Sequence, residues 1–79
     1  MSNTEDAPPL ASTPIFDRNT IKWSGYFVST EQAQEHLANK AKAFATTENK
    51  LVLTARKEFV NRHFRGYFLY RFLVVLANK

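Results

Sequence analysis

The chain has 79 residues and a mass of 9.1 kDa, room for one domain whose folding buries roughly 60% of the surface the unfolded chain exposes. It holds no cysteine, which excludes a disulfide framework, a thiol nucleophile and a thiolate metal site, and fits a reducing compartment. Eleven basic against seven acidic residues give a net charge of +4 and a pI near 9.7, while 44% hydrophobic content suits a folded protein rather than a disordered one.

Residues 1–19 contain all three prolines, Pro8, Pro9 and Pro14, among Ser, Thr and Asn. The polar, acidic opening carries neither the basic start nor the apolar run of a secretory signal. Burial of so few apolar side chains does not offset the entropy of ordering the segment, so a flexible N-terminal arm is expected over 1–19. Ile15 and Phe16 are the exception, an apolar pair expected to dock on its own domain in preference to a partner.

The folded domain is expected over residues 20–79. Residues 21–28 (IKWSGYFV) set Lys22, Ser24 and Tyr26 against Trp23, Gly25 and Phe27, the alternation of a strand. Gly25 between large neighbours marks a bulge or the close approach of another backbone. Ser29-Thr30-Glu31-Gln32 reads as a capping box, with Glu31 where the helix dipole favours a negative charge. Ala33, Leu37, Ala41 and Phe44 then recur at one-face helical spacing, so a helix is expected over residues 30–46. Two large side chains on that face make it a cover for something else.

From Asn49 onward the pattern favours strand, loop and strand. Leu51, Leu53, Ala55 and Phe59 alternate with Val52, Thr54, Arg56, Glu58 and Val60, with Lys57 as the misfit on the apolar side. Residues 61–66 are expected as a long hairpin loop, and residues 67–76 as a second strand rich in β-formers on both faces. The competing reading is a mostly α protein with one long second helix, in which Gly66 costs about 1 kcal/mol against alanine. The expected fold is therefore α+β: a β-α-β-β domain with a three-stranded, largely antiparallel sheet and one covering helix. The most apolar stretch, residues 67–77, is interrupted by Arg71 and as helix rises about 16 Å, half a bilayer core. No transmembrane segment is expected, and the chain reads as cytoplasmic.

Signatures of catalysis are missing. His36 and His63 have no ligand-spaced neighbours, and no HExxH or compact carboxylate cluster supports a metal. Asp6 and Asp17 both fall in the arm, and no serine sits in a nucleophile elbow. Gly25 and Gly66 make no phosphate-cradling loop. A non-enzymatic protein with no catalytic residue, metal or cofactor is expected.

Charge is distributed unevenly. Residues 50–79 carry seven basic side chains against Glu58 alone, together with six of the eleven aromatics. Cations that neutralise phosphates, interleaved with rings that stack on bases, suit single-stranded nucleic acid. The candidate contacts are Arg56, Lys57, Arg62, Arg65, Tyr67, Tyr70 and Arg71. Residues 65–72 partly resemble the RNP1 strand of RNA-recognition motifs. The leading Arg65-Gly66-Tyr67 and the final Phe72 match, whereas Phe68, Leu69 and Tyr70 depart from the pattern. The chain is too short and wrongly ordered for that family's βαββαβ plan, and no family is assigned.

The function expected first is a small basic module binding RNA or single-stranded DNA. The alternative is a protein–protein module, an adaptor, inhibitor or accessory subunit. It would dock through the open aromatic sheet face or an edge on a larger partner or a second copy. Residues 67–76 present two apolar faces of which the helix covers one, and an uncovered apolar face marks an interaction site.

Overall fold

The structure is a computed structural model; it describes residues 10–79 apart from the side chains of Arg62 and Phe64. Five elements follow in order: β1 (Ile15–Asp17), β2 (Thr20–Phe27), α1 (Thr30–Glu48), β3 (Lys50–Phe64) and β4 (Tyr67–Asn78). The four strands form one antiparallel sheet in the order β1-β2-β4-β3, and α1 lies across one face. This is the expected α+β domain with a fourth strand added.

The helix starts as its capping residues dictate. Ser29 is extended (φ −151, ψ 161) and its hydroxyl accepts the Gln32 backbone N–H at 3.2 Å, satisfying one of the donors left over at a helix start. It runs to Glu48, two residues past the expected end. Asn49 stops it by adopting the left-handed conformation at φ 57 and donating its N–H to Ala45 and Thr46 carbonyls, a conformation Asn tolerates well. Ala33, Leu37 and Ala41 face the sheet and are buried.

Alternation along the strands decides what lies beneath the helix. Ile21, Trp23 and Phe27 of β2 and Tyr70, Phe72, Val74 and Leu76 of β4 form the core with the helix residues. The register sets Ile21 opposite Val74 and Trp23 opposite Phe72, and the latter rings stack at 5.1 Å between centroids. Gly25 carries no bulge but is bridged by the Leu10 backbone, and side chains crowd it as well: a Cβ there would stand 3.0 Å from Phe27 Cε2 and 3.4 Å from Leu10 Cδ2.

Two expectations are corrected. The first concerns the arm. Residues 15–17 form an edge strand on β2, Ala11 and Ser12 donate their N–H groups to the Ser24 carbonyl, and Leu10 bridges Gly25. Phe16 meets Phe44 edge-on at 5.4 Å, so the Ile15-Phe16 pair docks on its own domain through its aromatic member. The part of the arm before Leu10 lies outside the described residues. The second concerns the hairpin. β3 continues to Phe64, and the connection is the two-residue turn Arg65-Gly66, both at positive φ (52 and 87), the geometry that matches the twist of a hairpin. Irregularity expected of a loop is absorbed inside β3, where the pairing shifts register between Val52 and Thr54 and again between Phe59 and His63. Asn61, at φ 68, lies in the second shift, as in bulges that bend one strand against its neighbour.

Candidate nucleic-acid interface

The face of the sheet turned away from α1 is built from the other half of each alternation. The pairing register arranges it in rows across the strands. Ile15, Lys22, Leu73 and Arg56 form one row, and Ser24, Arg71 and Glu58 the next. With strands about 4.8 Å apart, Lys22 and Arg56 stand roughly 10 Å from each other on either side of Leu73, and Arg71 sits one row along between them. These side chains border a shallow groove of about 720 Å³ with Ser12, Ser24 and Glu58.

Ser12 fixes the rim of the groove. Its hydroxyl accepts the Ser24 backbone N–H at 2.9 Å and lies 3.1 Å from the Ser24 hydroxyl. Glu58 is the acidic residue of the lining, and its carboxylate lies 3.6 Å from Arg71 with side-chain exposures of 68% and 67%. A pair so exposed contributes little and is readily exchanged, so Arg71 is available to a competing anion. The face thus offers three cations, an aliphatic floor at Leu73 and hydroxyl groups at one rim, a composition that attracts anions.

Of the residues singled out in the sequence, Arg56 and Arg71 come together on this face. Arg65 is exposed at the hairpin tip, beyond the groove. Tyr67, half-buried, opens β4 beside it. Lys57 belongs to the opposite face, opposite Phe72, where its ammonium donates to Gln34 Oε1 at 2.7 Å. This contact accommodates a lysine in an otherwise apolar register. The Arg62 side chain lies outside the described residues. Tyr70 is corrected outright: it is 3% exposed beneath the helix, with its hydroxyl 3.0 Å from Thr30 Oγ1, and offers no ring face to a base. Phe72, Trp23 and Phe27 are likewise core, so the rings left to the open face are those of Tyr26, opposite Leu69, and Tyr67, both outside the lining of the groove. Lys22 was missed as a site residue, although its place opposite Trp23 in the strand alternation already pointed outward.

Neither histidine lines the groove. His36 is half-buried on α1 and accepts the Trp23 indole N–H at 3.0 Å through Nε2. Burial, and secondarily the nearby Lys40, push its pKa below the ordinary histidine value. Among the described residues no group of three or more His, Asp or Glu stands together to hold a metal ion, and no helix is long and apolar enough to cross a membrane. Compared with known proteins, the chain matches no family model, no curated protein sequence and no solved structure.

Proposed function

We propose that this protein is a non-enzymatic binding module that holds single-stranded nucleic acid across its open sheet face. The observation that carries the reading is the placement of Lys22, Arg56 and Arg71 around one shallow groove, with the exposed Glu58 as the opposing charge. Cations spaced over about 10 Å of a sheet are suited to successive phosphates of an extended strand, and phosphate neutralisation supplies most of sequence-independent affinity. The aliphatic floor at Leu73 gives bases an apolar surface within the groove, so affinity there is chiefly electrostatic and sequence-tolerant. Arg65 and Tyr67 at the hairpin tip extend the same contact beyond the groove.

The test is fluorescence anisotropy with labelled mixed-sequence RNA and DNA single strands at low salt. Wild-type protein is expected to bind, and the triple variant Lys22→Gln, Arg56→Gln, Arg71→Gln to lose binding while keeping its far-ultraviolet circular dichroism. Absence of wild-type binding at low salt, where charges are least screened, refutes the proposal.

A further inference from the structure

The outer edge of β3 is the largest unsatisfied feature among the described residues. The strand order ends on it, so over fifteen residues one side of its backbone has no neighbouring strand. Leu51, Leu53 and Phe59 are each more than half exposed along it. A long edge with apolar side chains is a template for another strand.

We infer that this edge pairs antiparallel with β3 of a second copy of the chain, about a two-fold axis at Lys57. Two independent features select that register. The first is the position of the irregularities: β3 departs from regular pairing at Leu53 and around Asn61, and Lys57 is midway between them. Symmetric pairing about Lys57 therefore sets residues 55–59, all within the regular stretch, against themselves, and each irregularity against the other irregularity of the partner copy. The second is charge. Arg56 and Glu58 share the open face, and this register places Arg56 of each copy opposite Glu58 of the other, giving two cross-strand pairs of opposite charge. Moving the axis one residue to Arg56 instead sets two arginines against each other. Moving it to Ala55 sets Glu58 opposite Val52 and runs the pairing into the Leu53 irregularity.

On the helix face the same register sets Phe59 opposite Ala55, a large ring against a small neighbour, which covers a side chain now 51% exposed. Lys57 meets its own copy at the axis, but its ammonium is drawn toward α1 by Gln34. The outcome is an eight-stranded sheet in which two basic open faces lie side by side. The inference stands apart from the nucleic-acid reading, since chain mass is measured without any ligand.

Sedimentation equilibrium of the full chain over micromolar to millimolar concentration tests it. The mass is expected to rise to twice 9.1 kDa. Arg56→Glu and Glu58→Arg are each expected to remain single chains, and an equimolar mixture of the two to recover the two-chain mass, because their edges are then opposite in charge. A register test needs no charge change: the chain has no cysteine, so Lys57→Cys is expected to form a disulfide-linked pair on mild oxidation. Opposed residues of an antiparallel pair stand within disulfide range, whereas Thr54→Cys, far from the axis, is expected to form none. A wild-type chain that stays single throughout the range overturns the inference, as β3 reserved for a different protein's strand would require. So does a two-chain mass retained in Arg56→Glu, or equal cross-linking at residues 54 and 57.

Discussion

Replacing His36 tests how the helix is fastened to the sheet. Its ring sits among Trp23, Phe27 and Phe72, with centroids 5.9, 4.7 and 5.1 Å away, and its unprotonated Nε2 accepts the Trp23 indole proton. His36→Leu keeps an apolar side chain but leaves that indole N–H without its acceptor, a loss of about 1–3 kcal/mol. For a domain this size the loss lowers Tm by roughly 4 °C or more. His36→Gln retains an acceptor and should lose less. The pH dependence follows from the lowered folded pKa. Above pH 6.5 the ring is neutral in both states. As pH falls from 6.5 toward the folded value, the unfolded chain takes up a proton the folded chain refuses, and stability declines across that window. Thermal unfolding followed by circular dichroism from pH 8 to pH 5 should therefore show a fall in the wild type that His36→Gln lacks. Equal pH profiles for the two proteins would refute the assignment of His36 as a neutral acceptor in the core.

Three further substitutions probe the frame. Ser29→Ala removes the hydroxyl that accepts the Gln32 N–H and should cost about 1 kcal/mol in denaturant unfolding; no loss would place the helix start elsewhere. Gly66→Ala puts a side chain at φ 87 in open space, so an increase in unfolding free energy, rather than a loss of about 1 kcal/mol, would contradict the two-residue turn. Tyr70→Phe deletes the hydroxyl beside Thr30 and should lower stability by about 1 kcal/mol while leaving oligonucleotide affinity unchanged, because the ring is enclosed by the core; weakened binding by a fully folded variant would return Tyr70 to the interface.

Much of this arrangement was readable because local and long-range signals agreed. Ser29 and Gln32 announce the helix start, and the period-two patterns of residues 21–28 and 67–76 are those of strands half covered by a helix. The faces of β4 were not separable in advance. Tyr67, Leu69, Arg71, Leu73 and Val75 are as apolar, apart from Arg71, as Phe68, Tyr70, Phe72, Val74 and Leu76. Only the register against Trp23 and Ile21 decides which set meets the helix. Tyr70 was misread for that reason: in a small domain the rings that look free for stacking are those needed for the core. The turn was hidden by its composition, since Asn61, Arg62 and Arg65 suggest a loop, whereas Asn61 serves a bulge and Arg65-Gly66 make the turn. The edge strand β1 escaped because three residues carry too little periodicity to detect, and Phe16 finds its partner, Phe44, only once α1 lies across the sheet.

The salt dependence of oligonucleotide binding tests the central claim most directly. If Lys22, Arg56 and Arg71 each neutralise one phosphate of a single strand, log K should fall with log salt at a slope of about −2, and Arg71→Gln should reduce that slope by roughly 0.7 for every sequence alike. A slope near zero, or one that Arg71→Gln leaves unchanged in a folded protein, would contradict the assignment of the open sheet face as the nucleic-acid interface.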